Sequence, residues 1–530
     1  MAAVAALTGF VGLYGARMNR PPSDFLAASQ TVRPRLNAVA ICGEYLSAAS
    51  FLGIAGLILQ GGVDALWYPV GFTAGYIALL LFVAAPLRRS GAYTLPDFAE
   101  ARLTSVRLRR ICTAFVVIIG WLYLVPQLQG AGLTVATVTG FPVWVGAAMV
   151  AVLVTFNIFT GWMHSITFVQ AFQYWIKLTA LGVPIFVLLI YQTGESDEFR
   201  GSLGAPAPPF FSQTTTVDID TDVVLQVKVP TWLEASGEAE GAPVNGPVYW
   251  APGNHAVGAG STLIFAAGTR TPTVSGAPGP VNNADWMRPF SSGDYSVLTT
   301  YSLIVALLLG TMGLPHVLGR YYTNPDGRAA RSTTLVVLGL LGLFYLLPVI
   351  SGALARLYVP QLLLTGKTDA AVLLLPRAVL SGWPADLLGG VIAAGAFAAF
   401  MSAASGLAVS VAGVLSTDVL PGRLRDYRPA TLLSWSVPLA LALSVSALSL
   451  AQSVGLAFAV AASSFCPLLV LGIWWRGLTD VGAAAGMLAG GGLAVLSVLP
   501  AALGVLPPGW QELLAQPALF TVPLAFLVMV

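Results

Sequence analysis

The amino-acid sequence predicts an all-α polytopic membrane protein of about thirteen transmembrane helices. Of its 530 residues, 56% are hydrophobic and only 9% are charged, whereas soluble domains are about a quarter charged. The mean hydropathy of +0.80 requires many apolar segments of roughly 20 residues, each long enough to cross ~30 Å of hydrocarbon as a helix. Two of these segments, five apart in order, contain helix-breaking residues, a pattern that predicts an inverted repeat.

Composition also limits the expected partners. The net charge is only +2 and the arginines stand in short clusters between apolar segments, so we expect no nucleic-acid partner. Cys42, Cys112 and Cys466 lack metal-ligand spacing and are interpreted as packing residues. The sequence has no phosphate loop, redox cluster or catalytic Ser/His/Asp order. We therefore expect no enzyme and no cofactor, with the lipid bilayer as the main surrounding.

Thirteen apolar segments are long enough to span a bilayer. They lie near 1–16, 37–60, 65–87, 111–137, 141–163, 166–192, 297–318, 332–356, 385–413, 430–450, 452–473, 481–504 and 516–530. This pattern predicts spans 1–6 within 1–192, an insert at 193–296 and spans 7–13 within 297–530. The last segment ends without a polar flank, so we expect that a cytoplasmic tail follows it in the native protein.

The basic residues predict the orientation. On a thirteen-span topology, 17 of the 25 lysines and arginines fall in alternate loops and seven fall on the other side, with Lys177 inside a span. The positive-inside rule places the richer loops in the cytoplasm. We therefore expect a protein of the cell (inner) membrane whose N-terminus and 193–296 insert are extracytoplasmic.

The insert differs in composition from the rest of the chain. It is rich in Gly, Pro, Ser and Thr and carries eleven acidic and four basic residues. The segments TDVVLQVKVP and STLIFAAGTRTPTV favour a small β-rich module. The glycine and proline content equally fits an irregular cap, so both interpretations stay open.

The second span contains polar and small residues where an uninterrupted apolar helix would be more stable. In CGEYLSAASFLGIAG, Gly43, Glu44, Tyr45, Ser47 and Ser50 precede an apolar run. Small residues allow the backbone to unwind and approach a ligand. The freed carbonyl groups are candidate ligands for a cation.

The seventh span contains the matching interruption. In LLLGTMGLPHVLGR, Gly310, Thr311, Gly313 and Pro315 lie mid-membrane. A half-helix that begins there leaves amide groups free, which favours an anion. Since discontinuous spans in corresponding positions indicate an inverted-repeat transporter, we expect a binding site at the midplane.

Several motifs together resemble the sodium:solute symporter family, in particular its acetate permease or monocarboxylate branch. They are DFLAAS, GEYLSAASFLG, YTLPDFAEARL, TMGLPHVLGRYYT, AFAAFMSAASGLAVSVAGVLSTDV and LAFAVAASSFCPLLVLGIWW. The resemblance covers essentially all thirteen spans. It implies an extra N-terminal helix, ten core helices in two inverted five-helix repeats, alternating access, and a sodium site between the first and eighth core helices. It does not account for the insert.

The resemblance also implies a set of cation ligands. Matched residue by residue, these are the carbonyls of Gly43, Leu46 and Ala399, the hydroxyl of Ser402, and a second hydroxyl at the next position. That position is Ala403 here, so sodium, which prefers about five hard oxygen ligands, would need a water molecule or Ser405 instead. Sodium and protons both stay open as the coupling ion.

Glu44, Lys177 and His316 are ionisable residues that lie away from the ends of the predicted spans or beside a predicted break. A carboxylate such as Glu44 costs at least ~2.5 kcal/mol there unless it faces a cavity, pairs or takes up a proton, and we include it among the cation-binding candidates. Lys177 is expected to pair with an acid or to attract a substrate carboxylate. His316 is expected to bond to a helix end.

The substrate candidates are taken from the broken spans and the fourth span. They are Ser47, Ser50, Phe51, Tyr123, Gln127, Thr311 and Met312. A small carboxylate of the acetate, propionate or pyruvate class fits this set, because amides and hydroxyls would meet its charge. The sequence thus predicts a sodium-coupled monocarboxylate symporter, with a proton-coupled symporter or a symporter-like sensor domain as alternatives. A small membrane partner stays open.

Overall fold

The computed structural model confirms the all-α polytopic fold class. It describes residues 6–7, 32–160, 163–195, 199, 201–277, 279–290, 296–420, 428–444, 448–503, 505, 514 and 516–530. Within these residues, eight helical segments are long and apolar enough to cross a membrane, and Val143–Phe159 and Ala518–Met529 are shorter apolar helices. The first predicted span, 1–16, lies outside the described residues apart from 6–7.

The described N-terminal half contains eight α-helices. They are α1 (Pro34–Tyr45), α2 (Ile54–Gly61), α3 (Trp67–Phe82), α4 (Ala84–Arg89), α5 (Leu95–Leu103), α6 (Val106–Thr139), α7 (Val143–Thr160) and α8 (Met163–Gln192). Local sequence explains two of the starts, because the Thr94 and Ser105 side chains accept hydrogen bonds from amides in the first turns of α5 and α6.

The second predicted span is broken, as expected. Helix α1 ends at Tyr45, Leu46 has a non-helical backbone (φ −73°, ψ 87°), and a π-helical turn at Ala49–Gly53 leads into α2. A π-turn and a non-helical residue inside one span interrupt the regular i to i−4 hydrogen bonds. The carbonyls of Gly43 and Leu46 are therefore available to side chains of other helices.

The seventh predicted span is broken as well. Helix α10 (Ser296–Thr311) stops before Leu314, whose backbone is extended (φ −75°, ψ 115°), and α11 (Pro315–Tyr321) starts with proline at its first position. Gly313 packs closely on a neighbouring helix, since a Cβ there would lie 2.4 Å from the carbonyl oxygen of Ala461. This glycine allows both the turn and the close approach.

The described C-terminal half completes the bundle. It contains α12 (Gly327–Tyr358), α13 (Leu362–Thr365), α14 (Ala371–Val379), α15 (Trp383–Val414), α16 (Arg428–Ser444), α17 (Leu450–Trp474), α18 (Asp480–Ala502) and α19 (Ala518–Met529). Helix α17 packs against α10 and α6, and α15 packs against α6 and α8. These contacts enclose the two broken spans.

The YTLPDFAEARL motif lies in α5 and joins two long helices on one side of the bundle. Arg109 of α6 forms ion pairs with Asp97 (2.9 Å), Glu100 (2.5 Å) and Asp418 (2.7 Å). Asp418 follows α15 in a π-helical segment, Leu415–Val419. One arginine therefore holds the loop helix and the end of α15 together.

The insert contains a β-sheet. The strands are β1 (Thr215–Ile219), β2 (Val223–Val227), β3 (Thr231–Ala239), β4 (Ala242–Trp250), β5 (Gly253–Val257), β6 (Ser261–Phe265) and β7 (Thr273–Val274). They are ordered β1-β6-β3-β5-β2-β7, with β4 paired to β3, and every pairing is antiparallel. Alternating residues such as Leu225 and Val227 are buried in its core. Of the two interpretations of the insert, the structure has the β-rich module.

The segment after the sheet attaches the insert to the helices. Trp286, in α9 (Asn283–Trp286), donates its indole hydrogen to the carbonyl of Ile58 at 2.6 Å. The buried guanidinium of Arg356 donates to Asn283 Oδ1 (2.9 Å) and to the carbonyl of Leu59 (3.1 Å). The insert therefore contacts the end of α2 directly.

Impermeant thiol labelling tests the predicted orientation. Val229 in the insert and Val106 at the start of α6 are 53% and 55% exposed, and Cys42, Cys112 and Cys466 are all buried, so the native background is low. In intact cells, Val229→Cys should react and Val106→Cys should react only after permeabilisation. If only Val106→Cys were labelled in intact cells, the protein would have the opposite orientation to the predicted one.

Candidate functional site

The two broken spans meet in the centre of the bundle. The Tyr45 hydroxyl at the end of α1 lies 3.3 Å from Thr311 Oγ1 at the end of α10, and it donates to the carbonyl of Phe72 at 3.2 Å. Tyr45, Thr311 and Met312 are almost fully buried. The structure therefore brings the two interruptions together, as their positions in the sequence predict.

The Lys177 ammonium of α8 lies against the break in α1. Its Nζ donates to the carbonyl oxygens of Gly43 and Leu46, the latter at 2.7 Å, and to the hydroxyl of Ser402 in α15 at 2.5 Å. Lys177 and Ser402 are both fully buried. Three of the five positions that the family resemblance assigns to sodium therefore bind a lysine side chain.

The hydrogen bonds around Lys177 are mutually consistent. The Ser402 hydroxyl donates to the Gly43 carbonyl at 2.7 Å, which leaves its lone pairs to accept from Lys177. An ammonium group has three donors and no acceptor, and here three oxygens accept from it. The expected acid partner is not present: no ion pair of Lys177 occurs among the described residues.

This arrangement does not fit sodium at the same oxygens. The Gly43 and Leu46 carbonyls and the Ser402 hydroxyl already accept from Lys177, and Ala403 contributes no side-chain oxygen. Two like unit charges at roughly 4 Å repel by about 4 kcal/mol at an effective dielectric constant of 20. The Ser405 hydroxyl, the alternative to the missing ligand, donates to the carbonyl of Met401 at 2.7 Å.

Glu44 is paired with a buried arginine. Arg320 of α11 donates through Nε to Glu44 Oε2 at 2.6 Å, and both side chains are 2% exposed. Gly406 of α15 leaves room for the carboxylate, since a Cβ there would lie 1.9 Å from Glu44 Oε1. The pair joins the first half of one broken span to the second half of the other.

Helix α8 connects this ion pair to the lysine. Arg320 also donates to Thr167 Oγ1 at 2.9 Å and to the side-chain oxygen of Gln170. The Gln170 amide then donates to the carbonyl of Ser402 at 3.1 Å. Thr167, Gln170 and Lys177 stand three and seven residues apart, so they lie on one face of α8. That face supplies most of the polar contacts at the centre.

The predicted substrate residues are buried around the same centre. Gln127 accepts from the amide of Ala48 at 2.9 Å, and Ser50 bonds to the Tyr345 hydroxyl at 3.0 Å. The Ser47 hydroxyl makes no hydrogen bond of normal length and lies beside Tyr123. Several of these groups are therefore already partly satisfied by neighbouring helices, while the Ser47 hydroxyl is available to a ligand.

The aromatic and apolar candidates line the same region. Phe51 lies against Phe344, with ring centroids 6.3 Å apart, and Met312 is 2% exposed. The Tyr123 and His316 rings pack in a T-shaped arrangement, with their centroids 5.2 Å apart. His316 Nδ1 is buried without a hydrogen-bond partner, whereas a bond to a helix end was expected. This nitrogen is a polar group that a ligand or a water molecule can satisfy.

A cavity of about 40 Å³ lies beside the Glu44–Arg320 pair. Its lining includes Glu44, His316 and Arg320 together with Thr94 and Ser410. Thr94 precedes α5, so the cavity extends from the ion pair to the loop before that helix.

Sequence reasoning missed the roles of Arg320 and Gln170. Arg320 is one of the 17 basic residues that the topology places in the cytoplasmic loops, yet it is buried beside Glu44. A signal for it existed, because a carboxylate inside a span requires a partner and Arg320 follows the second broken span directly. Nothing in the sequence pointed to Gln170, whose contacts depend on how α8 packs.

Paired broken helices around a buried polar centre define a membrane transporter of the inverted-repeat class. Solved symporter structures share the fold. A substrate-bound, outward-open Na⁺-coupled sialic acid symporter matches with a TM-score of 0.66 at 13% identity, covering 99% of this chain and 95% of that one. Mhp1, a nucleobase-cation-symport-1 family transporter, matches with a TM-score of 0.54 at 13% identity, covering 96% of each chain.

The chain belongs to the sodium:solute symporter family, whose model matches residues 25–217 and 256–490. A curated relative is YwcA of Bacillus subtilis, described as an uncharacterized symporter. It is 28% identical over 544 residues, covering 99% of this chain and 91% of the relative. The protein is therefore a symporter and not an enzyme, as the sequence predicted.

A double-mutant cycle tests the Glu44–Arg320 pair. Glu44→Gln or Arg320→Gln alone should destabilise the protein by about 3–5 kcal/mol, because each leaves one buried charge without its partner. The double variant should be more stable than the sum of the two losses predicts. Thermal unfolding in detergent measures the effect.

The exposed pair Arg377–Asp386 gives the matched control. Its side chains are 61% and 64% exposed, so Asp386→Asn should change stability by about 0–1 kcal/mol. Additive losses for Glu44 and Arg320 would mean that the pair is not coupled.

Proposed function

We propose that the chain is a secondary active symporter that imports a small monocarboxylate of the acetate, propionate or pyruvate class by alternating access. The observation that most directly supports this proposal is a surplus of buried positive charge beside the two helix breaks. Lys177 and Arg320 contribute two positive charges and Glu44 one negative charge, which leaves +1. A fixed positive charge in a low-dielectric centre favours an anionic ligand.

The surrounding groups support the same ligand class. The Ser47 and Tyr123 hydroxyls can each donate to a carboxylate, and Ser50 and Thr311 add further hydroxyls nearby. Among the described residues at this centre, the one carboxylate is Glu44, and it is paired with Arg320. No free acid there would repel an anion.

The substrate is proposed to be small. The candidate residues are at most 3% exposed, and Phe51 and Met312 supply apolar surface for a short tail. A solute of a few heavy atoms needs only local movement of these side chains. A larger anion would require the broken helices to separate.

Sodium and protons are the two candidate coupling ions. Family membership and the sodium-coupled structural neighbour support a sodium-coupled symporter. The position of Lys177 on the predicted sodium ligands favours the second candidate, coupling to protons.

Uptake by proteoliposomes tests the function and the ion separately. Radiolabelled acetate, propionate and pyruvate are offered with an inward sodium gradient, an inward proton gradient, or neither. We expect concentrative uptake of at least one of them under one gradient. Binding of these acids without any uptake would favour the sensor alternative, and neither binding nor uptake would contradict the substrate class.

The close approach at Gly313 provides a second prediction. Gly313→Leu should abolish uptake, because its side chain would meet the backbone of α17 where a Cβ alone already lies 2.4 Å from the Ala461 carbonyl oxygen. Gly339→Leu is the control, since Gly339 is exposed on α12 with open space around it. Size-exclusion chromatography checks that both variants fold. Normal uptake by Gly313→Leu would show that the break is only a kink.

A further inference from the structure

We propose that the ammonium group of Lys177 is a built-in cation that replaces sodium between α1 and α15. It holds the Gly43 and Leu46 carbonyls and the Ser402 hydroxyl, so this position needs no free ion. The consequence for ion coupling rests on the proposed symporter function. The sodium-binding test of the lysine site requires no substrate.

The departure from the family pattern at position 403 is explained by Lys177. A sodium ion prefers about five hard oxygens, and the chain has Ala403 where a hydroxyl ligand is implied. An ammonium group has three donors and needs only three acceptors, which the site supplies. The missing hydroxyl at 403 is thus unnecessary when the cation is Lys177.

The direction of each hydrogen bond supports a resident ammonium group. The Ser402 hydroxyl donates to the Gly43 carbonyl at 2.7 Å and therefore accepts from Lys177. The carbonyls of Gly43 and Leu46 can only accept. A neutral amine has two hydrogens and can donate to only two of these three oxygens, whereas an ammonium group donates to all three.

The position of Lys177 on α8 makes the cation part of the scaffold. The side chain is fully buried, and Gln170, two turns earlier on the same face, bonds to the Ser402 carbonyl at 3.1 Å. Tyr174 between them bonds to the Leu340 carbonyl at 3.2 Å and joins α8 to α12. A free ion can leave when the helices separate, but this cation stays attached to α8.

A resident lysine at this position changes how transport can be coupled to sodium. In a site that binds a free ion, the ion links α1 and α15 only while it is bound. With Lys177 in place, the contact forms without any ion from solution. Occupancy of this position therefore does not follow the external sodium concentration.

Sodium binding to the purified protein tests the proposal. Binding of ²²Na⁺ is measured by scintillation proximity, and thermal unfolding is followed in detergent while NaCl replaces choline chloride. The variants are Lys177→Ala, Lys177→Ala with Ser402→Ala, and Ser402→Ala alone. Lys228→Ala is the control, because Lys228 is an exposed lysine of the insert.

Removing the lysine should free the oxygens of Gly43, Leu46 and Ser402 for a sodium ion, with water molecules in the vacated space completing its coordination. Lys177→Ala should gain ²²Na⁺ binding and a sodium-dependent rise in melting temperature over the parent and Lys228→Ala. Adding Ser402→Ala should weaken that gain by about 5- to 150-fold, since one oxygen ligand of the cation is lost. A folded Lys177→Ala variant without any gain in sodium response would overturn the proposal.

Ser402→Ala alone keeps the proposal testable if Lys177→Ala does not fold. The parent should bind no ²²Na⁺ at the Gly43, Leu46 and Ser402 oxygens, because these accept from Lys177, and Ser402→Ala tests whether a sodium ion shares them. A fall of about 5- to 150-fold in the sodium affinity of the parent on this substitution would mean that sodium displaces the lysine, and would overturn the proposal.

Discussion

A charge buried in a membrane-spanning bundle must find its hydrogen-bond partners inside the protein, and this constraint shapes the centre of the molecule. The Lys177 ammonium finds oxygens because α1 stops at Tyr45 and leaves the Gly43 and Leu46 carbonyls free. The break in the helix and the buried lysine therefore explain each other. A continuous helix would use these carbonyls itself, and an uncharged residue at 177 would remove the Lys177 donor from the Leu46 carbonyl and leave the Gly43 carbonyl with the Ser402 hydroxyl.

The same constraint connects the two halves of the chain. Arg320 follows the second broken span and binds Glu44 in the first, and both side chains are almost fully buried. Gln170 bonds to Arg320 and to the Ser402 carbonyl, so the ion pair and the lysine site share one network. A movement of α11 relative to α1 must disturb this network, which places it where alternating access would be controlled.

The sequence predicted the fold class and both interruptions, because hydropathy, glycine and proline act locally. It also drew attention to Glu44 and Lys177, since intramembrane charge is costly wherever it occurs. It did not predict which charges pair, and it expected Lys177 to meet an acid or the substrate. That outcome depends on the packing of α8 between α1 and α15, which places Lys177 on oxygens that the family pattern assigns to sodium. The β-sheet of the insert stayed undecided because its composition fits two structures.

The central claim is that Lys177 is the cation between α1 and α15. The most direct measurement is a cryo-electron microscopy map of the protein in lipid nanodiscs in a sodium-containing buffer, at a resolution that separates side-chain atoms from ions. The account predicts continuous density from α8 to the Lys177 Nζ, with the Gly43 and Leu46 carbonyls and the Ser402 hydroxyl around it and no separate ion. Isolated density surrounded by about five oxygens, with the lysine turned away, would contradict it.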